Sequence, residues 1–188
     1  HDTLLLFTNQ GKVFKMRAFD IPQAMRQAKG TAIVNLLSLQ PSETVQSLLI
    51  IDEEADKDKF ITLVTRKGLV KKSAVSLYQN IRQTGIISII LNDDDQLVRG
   101  ALTSGKDDVM MISHLGKVIR FSEEEVKSSN RDTKGVKGIT LKKDDYVVGV
   151  ETVSPEVAKM AGANDEPALL VITERGLGKR TALSQYPT

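Results

Sequence analysis

Cysteine is absent from the 188 residues, which excludes a disulfide scaffold and thiolate metal sites and fits a reducing compartment. Tryptophan is absent too, and aromatic residues make up only 4% of the chain, so any core must be aliphatic. No apolar run approaches the roughly 18 residues of a spanning helix, and the start carries no signal-peptide pattern. The chain opens His1-Asp2-Thr3 without an initiator Met, which reads as a piece cut from something longer. Net charge is small as well: the value of +2 looks too small for a polyanion binder. What is present is aliphatic. Hydrophobic residues, mostly Val, Ile and Leu, reach 40%, which is too much for a disordered chain and enough for one large domain or two small ones with a real core.

That aliphatic content is written in a repeat. Four segments share one pattern of apolar run, polar turn, Gly and second run: Leu4 to Val13, Phe60 to Val70, Val109 to Val118 and Ala168 to Gly178. Their glycines, Gly11, Gly68, Gly116 and Gly176, lie 57, 48 and 60 residues apart. Each Gly falls where a hairpin turn needs a positive φ, and Val, Ile, Thr and Phe in the flanks favour strands. An Arg follows at a near-constant offset (Arg26, Arg82, Arg131), then a Gly (Gly30, Gly85, Gly135). A third strand is expected over 33–37, 86–91 and 136–141, and a fourth over 45–51, 97–103 and 146–153. Each unit therefore has the make-up of one four-stranded blade in a propeller-like all-β array, with repeats at about 1–51, 57–106, 107–153 and 166–188. Helix is expected only as a turn over Glu123–Lys127 and a short segment over Pro155–Gly162, with Ser154 as N-cap and Pro155 at its first position. Asp52–Lys59 reads as a charged loop between blades.

The small net charge hides a segregation. Residues 11–30 carry Lys12, Lys15, Arg17, Arg26 and Lys29 for +4, and residues 66–85 carry Arg66, Lys67, Lys71, Lys72 and Arg82 for +5. Residues 116–138 come to +2 with Lys117, Arg120, Arg131, Lys134 and Lys137 among their bases, and residues 174–180 to +2 with Arg175, Lys179 and Arg180. These windows hold +13, so the rest of the chain holds −11, much of it in Asp52-Glu53-Glu54, Asp93-Asp94-Asp95 and Asp107-Asp108. On one hairpin such bases would merely solvate an exposed edge. Repeated at equivalent sites, they predict a basic stripe along one edge of the array, the electrostatic footprint of a polyanion track. No helix-turn-helix, zinc finger or aromatic stacking platform accompanies them, so the expected target is the phosphate backbone of duplex DNA rather than base edges.

Several local motifs carry a family resemblance when taken in order. They are Gly30-Thr31-Ala32-Ile33-Val34-Asn35-Leu36-Leu37, Asp107 to Met111 with Gly116 to Phe121, Gly135-Val136-Lys137-Gly138-Ile139, and Gly176 to Thr181 with Tyr186-Pro187-Thr188. In this order and spacing the chain resembles the C-terminal domain family of the DNA gyrase GyrA protein. The resemblance implies a β-pinwheel of six four-stranded blades with strands exchanged between neighbours, of which the chain would supply roughly the second to fifth. It also implies a basic perimeter that wraps double-stranded DNA and presents it to the gyrase A catalytic core. That core acts with the gyrase B subunit, ATP and magnesium, in the bacterial cytoplasm at the nucleoid; the module itself would need no cofactor and no membrane. The family's Gln-Arg-Arg-Gly-Gly-Lys-Gly box is missing, and Gln27-Ala28-Lys29-Gly30 is only a degenerate echo of it. The homologous C-terminal domain of topoisomerase IV and a protein-interaction propeller are the alternatives.

Catalytic chemistry is not expected. Tyr78, Tyr146 and Tyr186 sit at strand ends and read as packing residues; His1 and His114 have no second ligand at useful spacing. Asp93–Asp95 and Asp144-Asp145 read as acidic turns that match no calcium loop, and Gly135–Gly138 lacks the spacing and ending of a P-loop.

Overall fold

All four hairpins close through the same two groups. In the computed structural model, which describes residues 2–188, the Gly amide donates to the carbonyl three residues earlier: Gly11 to Thr8, Gly68 to Thr65 and Gly116 to Ser113, each at 3.0 Å, and Gly176 to Thr173 at 2.9 Å. The hydroxyl of that same Thr or Ser accepts from the amide after the Gly, at 3.1–3.3 Å. The four glycines have φ between +76° and +84°, the left-handed conformation the sequence predicts there.

Strands β1 (Thr3–Thr8) and β2 (Lys12–Arg17) form the first hairpin, β4 (Phe60–Thr65) and β5 (Leu69–Ala74) the second, and β8 (Asp108–Ser113) and β9 (Val118–Ser122) the third. The fourth is β12 (Ala168–Ile172) with β13 (Gly178–Ala182). An inner strand pairs antiparallel on the first strand of three hairpins: β3 (Val45–Ile51) on β1, β7 (Leu97–Thr103) on β4, and β11 (Val147–Val153) on β8. β3, β7 and β11 lie beside one another around a common axis, where Arg99 and Glu151 pair at 3.4 Å.

The outermost strand of a blade comes from the following repeat. β6 (Ile86–Ile87) pairs with β2, and β10 (Val136–Lys137) with β5, giving sheet orders β3-β1-β2-β6 and β10-β5-β4-β7. Each arm then turns inward: Ser88 and Ile89 both donate to the Gly11 carbonyl, and Gly138 and Ile139 both donate to the Gly68 carbonyl. This convergence stops the ladder after two residues, so the strands expected over 86–91 and 136–141 are shorter than their apolar runs. Residues 33–37, expected as a strand, form a 3-10 turn over Ile33–Asn35. Among the described residues no preceding blade offers them an edge, and the backbone closes on itself, Leu36 and Leu37 both donating to the Ile33 carbonyl. The other expected turns are present in shortened form: a 3-10 turn over Glu123–Glu125, and α1 over Pro155–Ala158, capped by the Ser154 hydroxyl accepting from Val157. No helix among the described residues is long and apolar enough to cross a membrane.

The core sits between blades. Leu5, Phe7 and Val13 of the first blade meet Ile61 and Leu63 of the second, with Ile89 of the arm and Tyr78 wedged among them. Val64 and Val70 meet Val109, Met111, Val126 and Ile139 in the same way at the next junction. Burying each such side chain contributes roughly 1.5–3 kcal/mol, so stacking of neighbours holds the array together. A hydrogen bond repeats across each junction: Leu97 donates to the Asn9 carbonyl at 3.0 Å, and Val147 to the Arg66 carbonyl at 2.8 Å.

Candidate nucleic-acid interface

The exchanged arm builds a groove on the outside of the first two blades. Its walls are β2 with its following turn, the 79–87 segment, and the tip of the next arm at Arg131 and Asp132; it encloses about 1180 Å³. Lys12, Lys15, Arg17, Arg82 and Arg131 line it against Asp20 and Asp132, a surplus of three positive charges. Strand alternation places Lys15 and Arg17 on one side of β2, and the hairpin offset brings Arg82 and Arg131, from two different repeats, to the same wall.

Not every one of these cations is unencumbered. Lys15 Nζ lies 2.5 Å from Glu53 and donates to the Gln79 carbonyl at 3.0 Å, and the Lys15 hydrogen bond to Glu53 holds that carboxyl below its usual range. Lys12 Nζ is 3.9 Å from Glu43, and Arg131 donates to the Ile87 carbonyl at 2.9 Å. Arg17 is exposed, its guanidinium 5.9 Å from the Phe19 ring, and Arg82 is exposed. Arg26, Lys29, Arg66, Lys67, Lys117, Lys134, Lys137, Arg175, Lys179 and Arg180 are exposed on other turns and edges. Two of these are tethered: Lys67 Nζ to the Asp93 carbonyl and Lys117 Nζ to the Thr140 carbonyl, both at 2.8 Å.

Three expected DNA contacts are corrected by the structure. Lys71, Lys72 and Arg120 are not on an open rim. Lys71 is buried, and its Nζ donates to the carbonyls of Ser88, at 2.5 Å, and Arg131; burial pushes its pKa down to about 8. Lys72 is buried over the Phe60 ring, with Nζ donating to the Glu123 carbonyl at 2.6 Å. The Arg120 side chain is nearly buried, paired with Asp108 at 2.6 Å and donating to the Tyr186 carbonyl at 3.2 Å.

For Lys72 and Arg120 the reason is a rule that the charge windows conceal. The fourth residue after each hairpin Gly is basic in all four repeats: Lys15, Lys72, Arg120 and Arg180. In the first three blades it reaches carbonyls of the 3-10 turn that follows the next hairpin, or of the residue closing it: Gln79, Glu123, and Leu183 with Tyr186. The cation adds a charged donor to a carbonyl of the turn; those of Glu123 and Leu183 also accept the Val126 and Tyr186 amides at 3.0 Å. Part of the repeated basicity therefore joins one blade to the next. The signal that could have separated the roles was in the chain, as a fixed offset from Gly rather than a clustering of charge.

The acidic runs have local work of the same kind. The Asp95 carboxylate accepts from the Lys67 and Gln96 amides, and that of Asp145 from the Leu115 and Tyr146 amides. Asp94 and Asp144 take φ of 59° and 63° in these turns. The Ala55 and Glu54 amides hold the Asp52 carboxyl below its usual range. Among the described residues no group of three or more His, Asp or Glu is gathered as a metal site. Tyr78 is buried edge-on to Phe7, and burial raises its hydroxyl pKa to about 12. Tyr146 lies between the Arg66 guanidinium, 3.7 Å from its ring centre, and the parallel His114 ring at 4.6 Å. The sequence gives no signal for this stack, because its three members lie far apart along the chain. Both Tyr146 faces are already covered from within the chain, so the ring is no open platform for a base. His1 lies outside the described residues.

Comparison with known proteins follows the same repeats. The family model described as DNA gyrase C-terminal domain, beta-propeller, matches residues 2–52, 59–104, 107–154 and 168–188. The DNA gyrase GyrA protein of Staphylococcus aureus strain NCTC 8325 is 37% identical over 186 residues, covering 99% of this chain and 20% of that protein. The same protein of strain MRSA252 gives the same identity and coverage. The chain thus spans about a fifth of the length of these relatives. Among solved structures, a C-terminal domain of DNA topoisomerase IV superposes with a TM-score of 0.85 at 29% identity, covering 100% of this chain and 55% of that one. A DNA gyrase A C-terminal domain gives 0.76 at 26%, covering 99% and 56%.

Proposed function

The chain belongs to the DNA gyrase C-terminal domain family, and from that premise we propose that it is a non-catalytic module that binds duplex DNA along the outer edges of its blades. The groove of Lys12, Lys15, Arg17, Arg82 and Arg131 carries this reading, because cations from three repeats converge there with a net surplus of three. Phosphates would meet these side chains as point charges, so affinity would depend on released counterions and hardly on sequence. Any sequence preference would come from how readily the duplex bends over the convex edge. In a whole enzyme, such binding would present a DNA segment to the catalytic core of an ATP-dependent type II topoisomerase. The gyrase B subunit, ATP and magnesium belong to that remainder, and the setting is the bacterial cytoplasm at the nucleoid.

A second reading has its own support. The topoisomerase IV domain superposes with the higher TM-score, 0.85 against 0.76. That reading keeps DNA binding and drops strong wrapping. Plasmid relaxed in the presence of the chain and then stripped of protein separates the two. A retained linking-number change supports wrapping; gel-shifted DNA without such a change supports segment binding. No shift of linear duplex at low salt would defeat both.

A further inference from the structure

The arms of the second and third repeats are laced to each other as well as to the blades they cover. The tip of the third arm, residues 129–133, rests on residues 87–90 of the second. Arg131 donates to the Ile87 carbonyl at 2.9 Å, and the Ile90 amide donates to the Thr133 carbonyl at 3.0 Å. Thr133 also closes the tip on itself, its hydroxyl donating to the Asn130 carbonyl at 2.8 Å and lying 3.0 Å from that of Ser129. The second arm is a firm base for this tip. Ser88 is held on the Gly11 carbonyl by its amide and by its hydroxyl, each at 2.8 Å.

Between the two arms lies one buried cation. Lys71 is 2% exposed, and its Nζ donates to the carbonyls of Ser88, on the second arm, and of Arg131, on the third. The same position in the neighbouring blades, three residues after the hairpin Gly, is Phe14 or Ile119. Phe14 uses that place to pack on an arm, its ring 2.9 Å from where a Cβ on Gly85 would stand. An ammonium has three donors where the ring has none, and here two of them go to carbonyls of different arms. A charge out of water persists only where it is hydrogen-bonded, so the amine and the two arms hold one another.

What this amine fixes is a wall of the candidate DNA groove, which Arg131 and Asp132 line together with Lys12, Lys15 and Arg17. Arg131 engages one of its five donors on Ile87 and has the others for phosphate. We propose that Lys71 is a positioning residue for DNA binding: it stays out of reach of the duplex and pins the third arm so that Arg131 faces the phosphates. The assignment rests on the groove being a duplex site. Loss of the buried amine then lowers affinity through Arg131 and through no other cation.

A double-mutant cycle on duplex binding, read by fluorescence anisotropy, tests this. Lys71→Met and Arg131→Ala should each weaken binding about threefold at low salt and lower the slope of log affinity against log salt by roughly 0.9, one phosphate contact. The double variant should bind no more weakly than either single one, because both remove the same contact. In Lys71→Met with Arg17→Ala the two losses should multiply, since Arg17 stands on β2 and not on the third arm. Circular dichroism checks that each variant folds. A second readout needs no DNA: Lys71→Met should speed hydrogen exchange at the Ile90 amide, which the tip of the third arm protects. Losses that multiply in the Lys71 and Arg131 pair overturn the proposal, because Lys71 would then act by its charge alone. Unchanged binding in Lys71→Met, or unchanged exchange at Ile90, overturns it as well. An unaltered chain that binds no duplex defeats the groove reading and the proposal with it, whereas failure of the cycle or of the exchange test in a chain that does bind defeats the proposal only.

Discussion

Gly68 and Gly116 occupy the same turn in adjacent blades, with φ of 84° and 82°, yet they stand in different surroundings. A Cβ on Gly68 would lie 2.6 Å from Ile139 Cγ2 and 3.2 Å from the Ile139 carbonyl, whereas a Cβ on Gly116 would meet nothing within 4 Å. The first Gly is needed both for its backbone angle and for the arm docked on it; the second is needed for the angle alone. The same division runs through the molecule. Among the described residues β2 and β5 have received an arm, and Gly11 and Gly68 at their turns are buried; β9 and β13 have not, and their turns are open. Strand exchange, rather than hairpin formation, distinguishes a finished blade here.

The largest effect should come from breaking the docked turn. Gly68→Ala is expected to lower unfolding stability by about 2.5–5 kcal/mol, from the left-handed penalty of about 1–2 and from displacing Ile139, whose burial is worth roughly 1.5–3. Gly116→Ala should lose only the first part, about 1–2 kcal/mol. Urea denaturation of both variants measures the difference, and equal losses would remove arm docking from the account. Next in size is the inter-blade cation. Lys72→Met removes the charged donor to the Glu123 carbonyl, leaving only the Val126 amide at 3.0 Å, and should destabilise by about 1–3 kcal/mol. Arg180→Met, at the equivalent but open position, should stay within about 0.5 kcal/mol.

That pairing also separates two kinds of base that look alike in the sequence. Arg17→Ala combined with Arg82→Ala should leave stability nearly unchanged and weaken duplex binding about tenfold at low salt, equally across sequences. Each lost phosphate contact should lower the slope of log affinity against log salt by roughly 0.9. Fluorescence anisotropy with two unrelated duplexes checks it; loss on one duplex alone would contradict backbone recognition. The hairpins were legible because turn chemistry is local: Gly11, Gly68, Gly116 and Gly176 each announce a positive φ from the few residues around them. The charge segregation was legible too. What the chain hid was non-local. Val136-Lys137 pairs with Leu69-Val70 across a long stretch of chain, and nothing in either segment names the other. Ile33–Asn35 shows the limit: its apolar run is as strand-like as Ile86–Leu91, and it forms a 3-10 turn where no edge receives it. Burial of Lys71 and Lys72 follows from the same exchange, since their carbonyl partners, at Ser88, Arg131 and Glu123, are supplied by arms and turns of other segments.

The last expected effect concerns that buried amine and shows only above about pH 8. Lys71 has a folded pKa of about 8, below its ordinary value of 10.5, because burial disfavours the charged form. Below about pH 8 the amine is protonated in both folded and unfolded chains, so its contribution does not vary with pH. Between about pH 8 and 10.5 the folded chain releases the proton while the unfolded chain keeps it, so the unfolded state binds more protons and stability should rise. Tyr78 acts in the opposite sense at higher pH: its hydroxyl, raised to about 12, stays protonated in the fold after the unfolded phenol has ionised near 10.0, so its contribution falls as pH climbs past that value. Together the two groups favour a shallow stability maximum near pH 10. Lys71→Met should abolish the rising limb between about pH 8 and 10 while leaving the fall above it in place, and Tyr78→Phe should do the reverse. Thermal unfolding across that pH range reads both limbs, and a rising limb that persists in Lys71→Met would assign it to another group.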